Sequence, residues 1–193
     1  MNVGIIGMGK IGILHAGILN RLDDVNITAI AEKENIIKNY IKLVLPAANV
    51  YDNYEEMIRN GNLDLIYITT PVKFHIPIAL TCVKNNINFF MEKPLAQNIE
   101  ECKELLIQLK NNSNIVHAVG YSKRFWDTFS KAKELLDLGL LGDLIYVKSS
   151  FYLSLLFSEG KGWRFAKKTS GGGVLLDFGT HVLDLLIWYF GPI

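Results

Sequence analysis

An aspartate and a histidine near the end of the sequence have the spacing of a proton-transfer pair. Asp177 and His181 lie four residues apart, so both side chains project from one face if residues 173–190 form a helix. A carboxylate beside an imidazole favours its protonated form, which suits proton transfer near neutral pH. The alternative is an exposed helix pair, worth about 0.3 kcal/mol. Because the surrounding segment is strongly apolar, a partnered or functional pair is favoured.

A glycine pattern near the amino terminus is typical of a dinucleotide-binding turn. Gly7, Gly9 and Gly12 form G-x-G-x-x-G directly after a predicted strand and at the start of a predicted helix. Gly7 permits the tight turn, Gly9 lets the backbone approach a pyrophosphate, and Gly12 lets the helix pack closely on the strand. The helix N-terminus, with Lys10 and Ile11 in its first turn, offers backbone N–H groups to the phosphates. A glycine turn without a ligand is the alternative.

An acidic residue at the end of the second predicted strand indicates which dinucleotide binds. Glu32 lies about 20 residues after Gly12, the separation that the pattern requires. Its carboxylate can accept hydrogen bonds from the adenosine ribose hydroxyls and would repel a 2′-phosphate. NAD is therefore favoured over NADP, although the adjacent Lys33 weakens that preference and leaves NADP as an alternative.

The spacing of apolar residues predicts that strands and helices alternate over the first 119 residues. Strands are predicted at 3–6, 26–31, 64–69, 88–91 and 115–119, with amphipathic helices between them. Near-continuous apolar strands that alternate with helices indicate a parallel sheet covered on both faces. Right-handed crossovers make an α/β fold with a doubly wound Rossmann topology the expected architecture. Lys93 follows the fourth of these strands, at the sheet edge where such folds bind ligands.

The second part of the chain has a different pattern. We place the boundary so that residues 1–119 form the dinucleotide-binding domain and residues 120–193 form a second domain. This second part contains a predicted helix at 128–136 and a predicted long strand at 144–156. One strand cannot form a stable sheet by itself. We therefore expect a truncated α+β domain that further residues, a partner chain or a second copy of this chain completes.

Composition and charge exclude several classes of protein. The 20 basic and 19 acidic residues give a formal net charge of +1, which predicts neither a nucleic-acid nor a membrane-surface partner. Hydrophobic residues make up 50% and charged residues 20%, which excludes a disordered chain. Cys82 and Cys102 are too few for a disulfide framework and too isolated for a metal site, so a cytoplasmic location is expected. No uncharged apolar run approaches the ~18 residues that a membrane span needs.

Several motifs together give the chain a resemblance to one enzyme family. In this order they are Gly7-x-Gly9-x-x-Gly12-x-x-His15, Thr70-Pro71-x-x-x-His75, Glu92-Lys93-Pro94, Arg124-Phe125, Gly139-x-x-Gly142, Trp163-Arg164, Gly171-Gly172-Gly173, Asp177 and His181. With them the sequence resembles the Gfo/Idh/MocA oxidoreductases over essentially its whole length. The resemblance implies an NAD(P)-binding Rossmann domain and a second domain with a mostly antiparallel sheet. It also implies redox chemistry on a secondary alcohol of a sugar, cyclitol or sugar derivative, by dimers or tetramers.

The resemblance implies roles for individual residues. His181 is expected to accept the proton, Asp177 to hold the substrate or assist the transfer, and Lys93 to favour the developing alkoxide or to act as the base itself. Residues expected to contact the cofactor are Thr70, Pro71, His75, Glu92 and Lys93. Candidate substrate-binding residues are Arg124, Trp163 and Arg164, for which an exposed basic loop is the alternative.

Two other functions stay open at this point. A chain with a short second domain is compatible with a catalytically incomplete dinucleotide-binding module or with a subunit of a larger assembly. Some relatives use NAD for a transient oxidation followed by elimination, so the same motifs are compatible with that reaction. In either enzymatic case the expected substrate is a small sugar-like molecule.

Overall fold

Six parallel strands form the sheet of the first unit, Met1–Gly120, in the computed structural model, which describes residues 1–152, 170 and 172–192. The strands are β1 (Asn2–Ile6), β2 (Asn26–Ala31), β3 (Asn49–Tyr51), β4 (Leu65–Ile68), β5 (Asn88–Met91) and β6 (His117–Val119). They pair in the order β3-β2-β1-β4-β5-β6, and every pairing is parallel. This order confirms the predicted doubly wound Rossmann topology of the first part of the chain.

Helices cover both faces of this sheet. They are α1 (Lys10–Leu19), α2 (Asn35–Val44), α3 (Tyr54–Asn60), α4 (His75–Lys84) and α5 (Ile99–Asn111), with a short 3₁₀ turn (Val72–Phe74) before α4. Successive side chains of a strand point to opposite faces, so β1 places Val3 and Ile5 in one core and Ile6 in the other. Ile66 and Ile68 of β4 join Ile6. Both faces are therefore buried, as the near-continuous apolar strands predict.

The apolar pattern does not reveal β3 or α3, which lie between α2 and β4. β3 is a three-residue strand paired only with β2, too short for an alternation to be recognised. α3 begins after Asn53, whose side chain accepts a hydrogen bond from Glu55 N at 2.7 Å. This N-cap, with two glutamates in the first turn, is the local signal for the helix.

The loops after β1 and β4 mark the position at which a ligand can bind. β1 and β4 are neighbours in the sheet, and the strand order reverses between them. A crevice forms outside the carboxyl ends of the strands at such a point. The loops meet there, since Thr69 N donates a hydrogen bond to Ile6 O at 3.0 Å. The predicted cofactor residues of both loops are therefore neighbours.

The cysteines of the first unit belong to its core. Both are free thiols, Cys82 in α4 and Cys102 in α5. Burial raises the pKa of the Cys82 thiol to about 12. Cys102 packs against the same apolar cluster from its edge, and burial raises the pKa of its thiol as well. Both residues serve as small apolar groups, as their helical spacing indicates.

The described residues of the second unit, Tyr121–Ile193, contain helices and irregular segments. A 3₁₀ turn (Ser122–Phe125) leads into α6 (Asp127–Asp137). A wide π-helical turn (Leu175–Gly179) continues into α7 (Thr180–Phe190). The hydroxyl of Tyr189 on α7 donates a hydrogen bond to Phe129 O on α6 at 3.0 Å and so connects the two helices. In the part of the chain that the structure describes, no helix is both long and apolar enough to cross a membrane.

The long strand predicted at 144–156 is absent from the portion of it that is described. Residues 144–152 belong to neither a helix nor a strand, and residues 153–169 lie outside the described residues. A strand requires a neighbouring strand to pair with its backbone, and the described part of this unit contains none. The antiparallel sheet of the second domain therefore stays a prediction. Trp163 and Arg164 also lie outside the described residues.

Candidate cofactor site and catalytic residues

The glycine turn has no room for a side chain at two of its three glycines. Gly7 has a φ of +91°, which side chains disfavour, and a Cβ there would lie 3.0 Å from the Thr70 side chain. A Cβ on Gly12 would lie 2.1 Å from Gly7 O, so α1 packs directly against the turn. A Cβ on Gly9 would meet nothing within 4 Å. Gly9 therefore borders open space from which a ligand can approach the backbone.

The N-terminus of α1 is suited to an anion. Gly9 is the N-cap and provides no side chain to accept hydrogen bonds from the first turn, which contains no acidic residue. The first bond of the helix runs from Ile13 N to Gly9 O at 3.0 Å. The N–H groups of Lys10, Ile11 and Gly12 precede that bond and lie at the positive end of the helix dipole. This is the arrangement that binds a pyrophosphate in dinucleotide-binding folds.

Glu32 is held at the end of β2 by three backbone N–H groups. Its Oε2 accepts a hydrogen bond from Met8 N, inside the glycine turn, at 2.7 Å. Its Oε1 accepts from Lys33 N at 2.7 Å and from Glu34 N at 2.9 Å. Because a carboxylate has about four acceptor positions, capacity remains for a ribose hydroxyl. The carboxylate is thus fixed beside the phosphate-binding turn, where its negative charge disfavours a 2′-phosphate on the ribose.

The loop after β4 contributes two threonines. Thr69 Oγ1 donates a hydrogen bond to Gly7 O at 2.5 Å and so fixes the glycine turn. Thr70 Oγ1 is buried and has no hydrogen-bond partner among the described residues. An unpartnered buried hydroxyl costs about 1–3 kcal/mol, so this atom is suited to a polar group of a bound molecule. The orphaned hydroxyl, the open space at Gly9 and the fixed charge of Glu32 fit a dinucleotide.

His75 lies beneath this site rather than on its surface, at 1% exposure. Its Nδ1 is 2.8 Å from Pro94 O, and its Nε2 is 2.9 Å from Thr70 O. Burial lowers the pKa of His75, and the two carbonyl oxygens oppose that effect because they favour the protonated ring. Both ring nitrogens face backbone oxygens. This placement favours a contribution to cofactor binding through the two loops that His75 contacts, in place of a direct contact with the cofactor.

Glu92 points towards α1 and contacts His15. The Nε2 of His15 donates a hydrogen bond to Glu92 Oε1 at 2.8 Å, and Glu92 Oε2 accepts from Lys93 N at 3.3 Å. The His15 ring packs between Tyr67 and Phe90, with centroid distances of 5.3 Å and 5.2 Å. Glu92 therefore engages protein groups with both oxygens. Lys93 is half-buried and follows β5, at the carboxyl edge that the sequence predicts.

Asp177 and His181 of the second unit lie where the helix geometry changes. Asp177 is in the wide turn Leu175–Gly179, and His181 is near the start of α7. Both residues are half-buried. Single π-helical turns next to α-helices are frequent at functional sites. The predicted helix over 173–190 is thus present, with an irregular turn at the aspartate.

Aromatic rings surround His181 and a lysine that the sequence patterns do not identify. The His181 ring is edge-on to Tyr121 and Phe178, with centroid distances of 6.2 Å and 5.9 Å. Lys123 is 9% exposed, and its Nζ lies 4.2 Å from the ring centroid of Trp126 and 5.5 Å from that of Phe178. Such cation–π contacts stabilise a shielded ammonium group. The aromatic residues on both sides of Lys123 in the sequence are the signal that could have identified it.

Arg124, a candidate substrate-binding residue, pairs with Asp184 of α7. The Nε of Arg124 donates to Asp184 Oδ2 at 2.8 Å, and one terminal guanidinium nitrogen donates to Oδ1. These hydrogen bonds raise the pKa of Arg124. The Asp184 side chain is 10% exposed, so the pair joins the 3₁₀ turn to α7 through a shielded carboxylate. This geometry favours a structural contribution from Arg124.

We expect Arg124→Met to destabilise the second unit by about 2 kcal/mol, because Asp184 is left shielded without its bidentate partner. Urea unfolding followed by tryptophan fluorescence measures this change. Lys131→Met is the matched control, since Lys131 pairs with Glu134 on an exposed face of α6 and such pairs contribute about 0–1 kcal/mol. Equal stability of the two variants would contradict the structural assignment.

Both parts of the chain match one protein family. Residues 1–121 match the family described as "Oxidoreductase family, NAD-binding Rossmann fold", and residues 129–193 match the "GFO/IDH/MocA C-terminal domain". The chain belongs to the Gfo/Idh/MocA oxidoreductase family. The resemblance drawn from the motifs is confirmed, and the first unit is the NAD-binding Rossmann domain of this family.

Several inositol dehydrogenases are similar to nearly the whole length of this chain. The myo-inositol 2-dehydrogenase of Thermotoga maritima is 28% identical, over 99% of this chain and 55% of its own. The scyllo-inositol 2-dehydrogenase (NADP(+)) of Bacillus subtilis is 27% identical, over 99% of this chain and 52% of its own. The crystal structure of myo-inositol 2-dehydrogenase from Lactobacillus plantarum has a TM-score of 0.86 at 28% identity, covering 99% of this chain and 56% of that one. The chain thus spans little more than half the length of these relatives.

The sequence-predicted residues of this Gfo/Idh/MocA chain fall into two groups in the first unit. The three glycines, Glu32 and Thr70 come together around the crevice. His75 and Glu92 instead contact protein groups behind it. Sequence patterns did not identify the contact between Glu92 and His15, because it joins residues that are 77 positions apart.

Proposed function

We propose that this Gfo/Idh/MocA chain is part of an NAD(P)-dependent dehydrogenase that oxidises a secondary alcohol of a sugar, a cyclitol or a sugar derivative, or runs the reverse reduction. The observation that carries the proposal is the carboxyl edge of one sheet, where the open glycine turn, Glu32 and Lys93 all lie. Relatives whose names specify an inositol support the substrate class.

The proposed reaction divides between the cofactor and the protein. NAD, which the glycine turn and Glu32 would hold, would supply the hydride acceptor for oxidation of the alcohol. The protein holds the alcohol and accepts its hydroxyl proton. We propose that the imidazole of His181 accepts this proton. Asp177 then orients either the substrate or that imidazole. The ammonium group of Lys93 lowers the energy of the developing alkoxide.

The function is tested by mixing the chain with NAD and a panel of inositols, aldoses, sugar acids and amino sugars, and following the absorbance of NADH. We expect NADH to accumulate with at least one cyclitol or sugar. Measured NAD binding without NADH from any member of the panel would contradict the proposal. Net accumulation also distinguishes dehydrogenation from a redox-neutral elimination, which returns the cofactor to its starting state.

The cofactor preference depends on Glu32. We expect Glu32→Ala to weaken NAD binding by about 10- to 100-fold, because a charge-assisted hydrogen bond to the ribose contributes about 1.5–3 kcal/mol. NADP binding should change much less, because the substitution also removes the repulsion of its 2′-phosphate. Titration of protein fluorescence with NADH and with NADPH measures both dissociation constants.

The matched control for Glu32 is its neighbour. Glu34→Ala removes an equal charge from an exposed side chain, and the Glu34 N–H that donates to Glu32 is retained. An equal loss of NADH affinity in both variants would mean that the effect is one of general charge. It would then contradict a specific ribose contact by Glu32.

A further inference from the structure

Lys93 lies between two residues that are each held by a histidine. On its amino-terminal side, His15 donates a hydrogen bond to the side chain of Glu92 at 2.8 Å. On its carboxyl-terminal side, the Nδ1 of His75 is 2.8 Å from the backbone oxygen of Pro94. We infer that His15 and His75 are positioning residues that fix the backbone of Lys93, an inference that rests on the proposed function for the part Lys93 plays in the reaction.

The contact from His15 connects Lys93 to the helix that binds the phosphates. His15 lies on α1, whose N-terminus follows the glycine turn. Its bond to Glu92 is shielded, since the two side chains are 20% and 21% exposed and rings of Tyr67 and Phe90 flank the imidazole. The second oxygen of Glu92 accepts from Lys93 N. Two hydrogen bonds in series thus join α1 to the backbone of Lys93.

The contact from His75 connects Lys93 to the loop after β4. The imidazole lies between Thr70 O and Pro94 O, at 2.9 Å and 2.8 Å. It is 1% exposed, so water cannot replace either contact readily. A neutral imidazole has one N–H group to donate and a protonated one has two. His75 therefore donates to one of the two carbonyl oxygens when it is neutral and to both when it is protonated, and its ring fills the space between the two loops, with Lys93 next to one of them.

Positioning matters here because of the nature of the lysine side chain. Its ammonium group is at the end of a flexible four-carbon stem, so the place from which the stem starts limits where the charge can be. A displacement of about 1 Å at a reacting centre can cost about 100-fold in rate. A fixed backbone at residue 93 therefore affects kcat more than it affects the binding of NAD.

The first test uses His15→Leu and His15→Gln in the full chain. The leucine removes the hydrogen-bond donor, and the glutamine amide retains one close to the position of Nε2. We expect His15→Leu to lower kcat by about 10- to 100-fold with an NADH dissociation constant within about threefold of wild type. Exchange of the Lys93 amide hydrogen, measured by NMR, should accelerate by about tenfold. His15→Gln should restore both quantities towards wild type.

A second histidine on the same sheet provides the control. His117 of β6 stacks on Phe89, with a centroid distance of 5.7 Å. His117→Leu therefore removes an imidazole near β5 without removing either bond described for the Lys93 segment. We expect it to leave kcat and the Lys93 amide unchanged. If His15→Leu behaves like His117→Leu in both measurements, the positioning role of His15 is refuted.

The second test separates the two contacts of His75. In His75→Asn the amide donor lies near the position of Nδ1 and can reach Pro94 O, whereas in His75→Gln it lies near Nε2 and can reach Thr70 O. We expect the asparagine variant to retain slow exchange of the Lys93 amide and the glutamine variant to lose it. Equal exchange in two folded variants would refute the His75 contribution. If neither variant folds, hydrogen exchange of the His75 ring N–H in the wild-type protein is measured instead. Rapid exchange of that proton would refute the contribution of His75.

The outcomes distinguish this inference from the proposed function. Amide exchange is measured on the chain without substrate, so it reports on the Lys93 backbone even if no alcohol in the panel is oxidised. Turnover by wild-type protein together with unchanged exchange in the histidine variants would refute the inference and leave the function intact. Faster exchange without turnover in any form would support the inference and refute the function.

Discussion

Lys93→Met is expected to lower kcat by about 100- to 1,000-fold and to change the dissociation constant of NADH by less than about threefold. Methionine has an apolar stem of similar length but lacks the charge that favours the developing alkoxide. The charge acts mainly in the transition state, so kcat should fall more than cofactor affinity. Steady-state rates with the preferred alcohol and a fluorescence titration with NADH measure the two effects.

A matched lysine and the pH profile complete this test. Lys84 ends α4 and is exposed, so Lys84→Met removes the same charge from the same unit and should keep wild-type kcat. A wild-type kcat in Lys93→Met would contradict the assigned role. If His181 accepts the proton, the acidic limb of the kcat profile persists in Lys93→Met and is lost in His181→Asn. The opposite result identifies Lys93 as the acceptor.

Gly12→Ala is expected to weaken NADH binding by at least about 100-fold and to destabilise the first unit by about 1–3 kcal/mol. The added Cβ would lie 2.1 Å from Gly7 O, so α1 or the turn has to move. Either movement displaces the N–H groups that face the pyrophosphate. Fluorescence titration measures the binding, and thermal unfolding measures the stability.

Alanine substitutions at two other glycines distinguish a steric clash within the protein from a steric clash with the bound cofactor. A Cβ on Gly9 meets nothing within 4 Å, so Gly9→Ala should keep wild-type stability. Its affinity for NADH should fall because the added methyl group occupies space that the cofactor needs. Gly17, inside α1, also has no atom within 4 Å of an added Cβ. Gly17→Ala should bind NADH normally and gain about 0.5–1 kcal/mol. Normal binding by Gly12→Ala or Gly9→Ala would refute the assigned phosphate site.

The sequence was sufficient for those features that depend on neighbouring residues. The glycine spacing specifies a turn, and apolar runs specify buried strands, because backbone conformation and the period of side chains are local properties. Glu32 is predictable for the same reason, since its distance from Gly12 is fixed by the length of one helix and one strand. The exceptions were short elements, such as β3, in which no period can be established.

Only the tertiary structure determined which partner each polar side chain selects. His15 meets Glu92 from 77 positions away, and Arg124 meets Asp184 from 60 positions away. Such pairs form when the packing of secondary-structure elements brings remote segments together and excludes water, so that each buried polar group needs a partner within reach. The spacing of residues along the sequence does not indicate which remote side chains come into contact. In the folded chain, His75 and Glu92 contact protein groups of the loops around the crevice, and their direct contact with the cofactor stays a prediction.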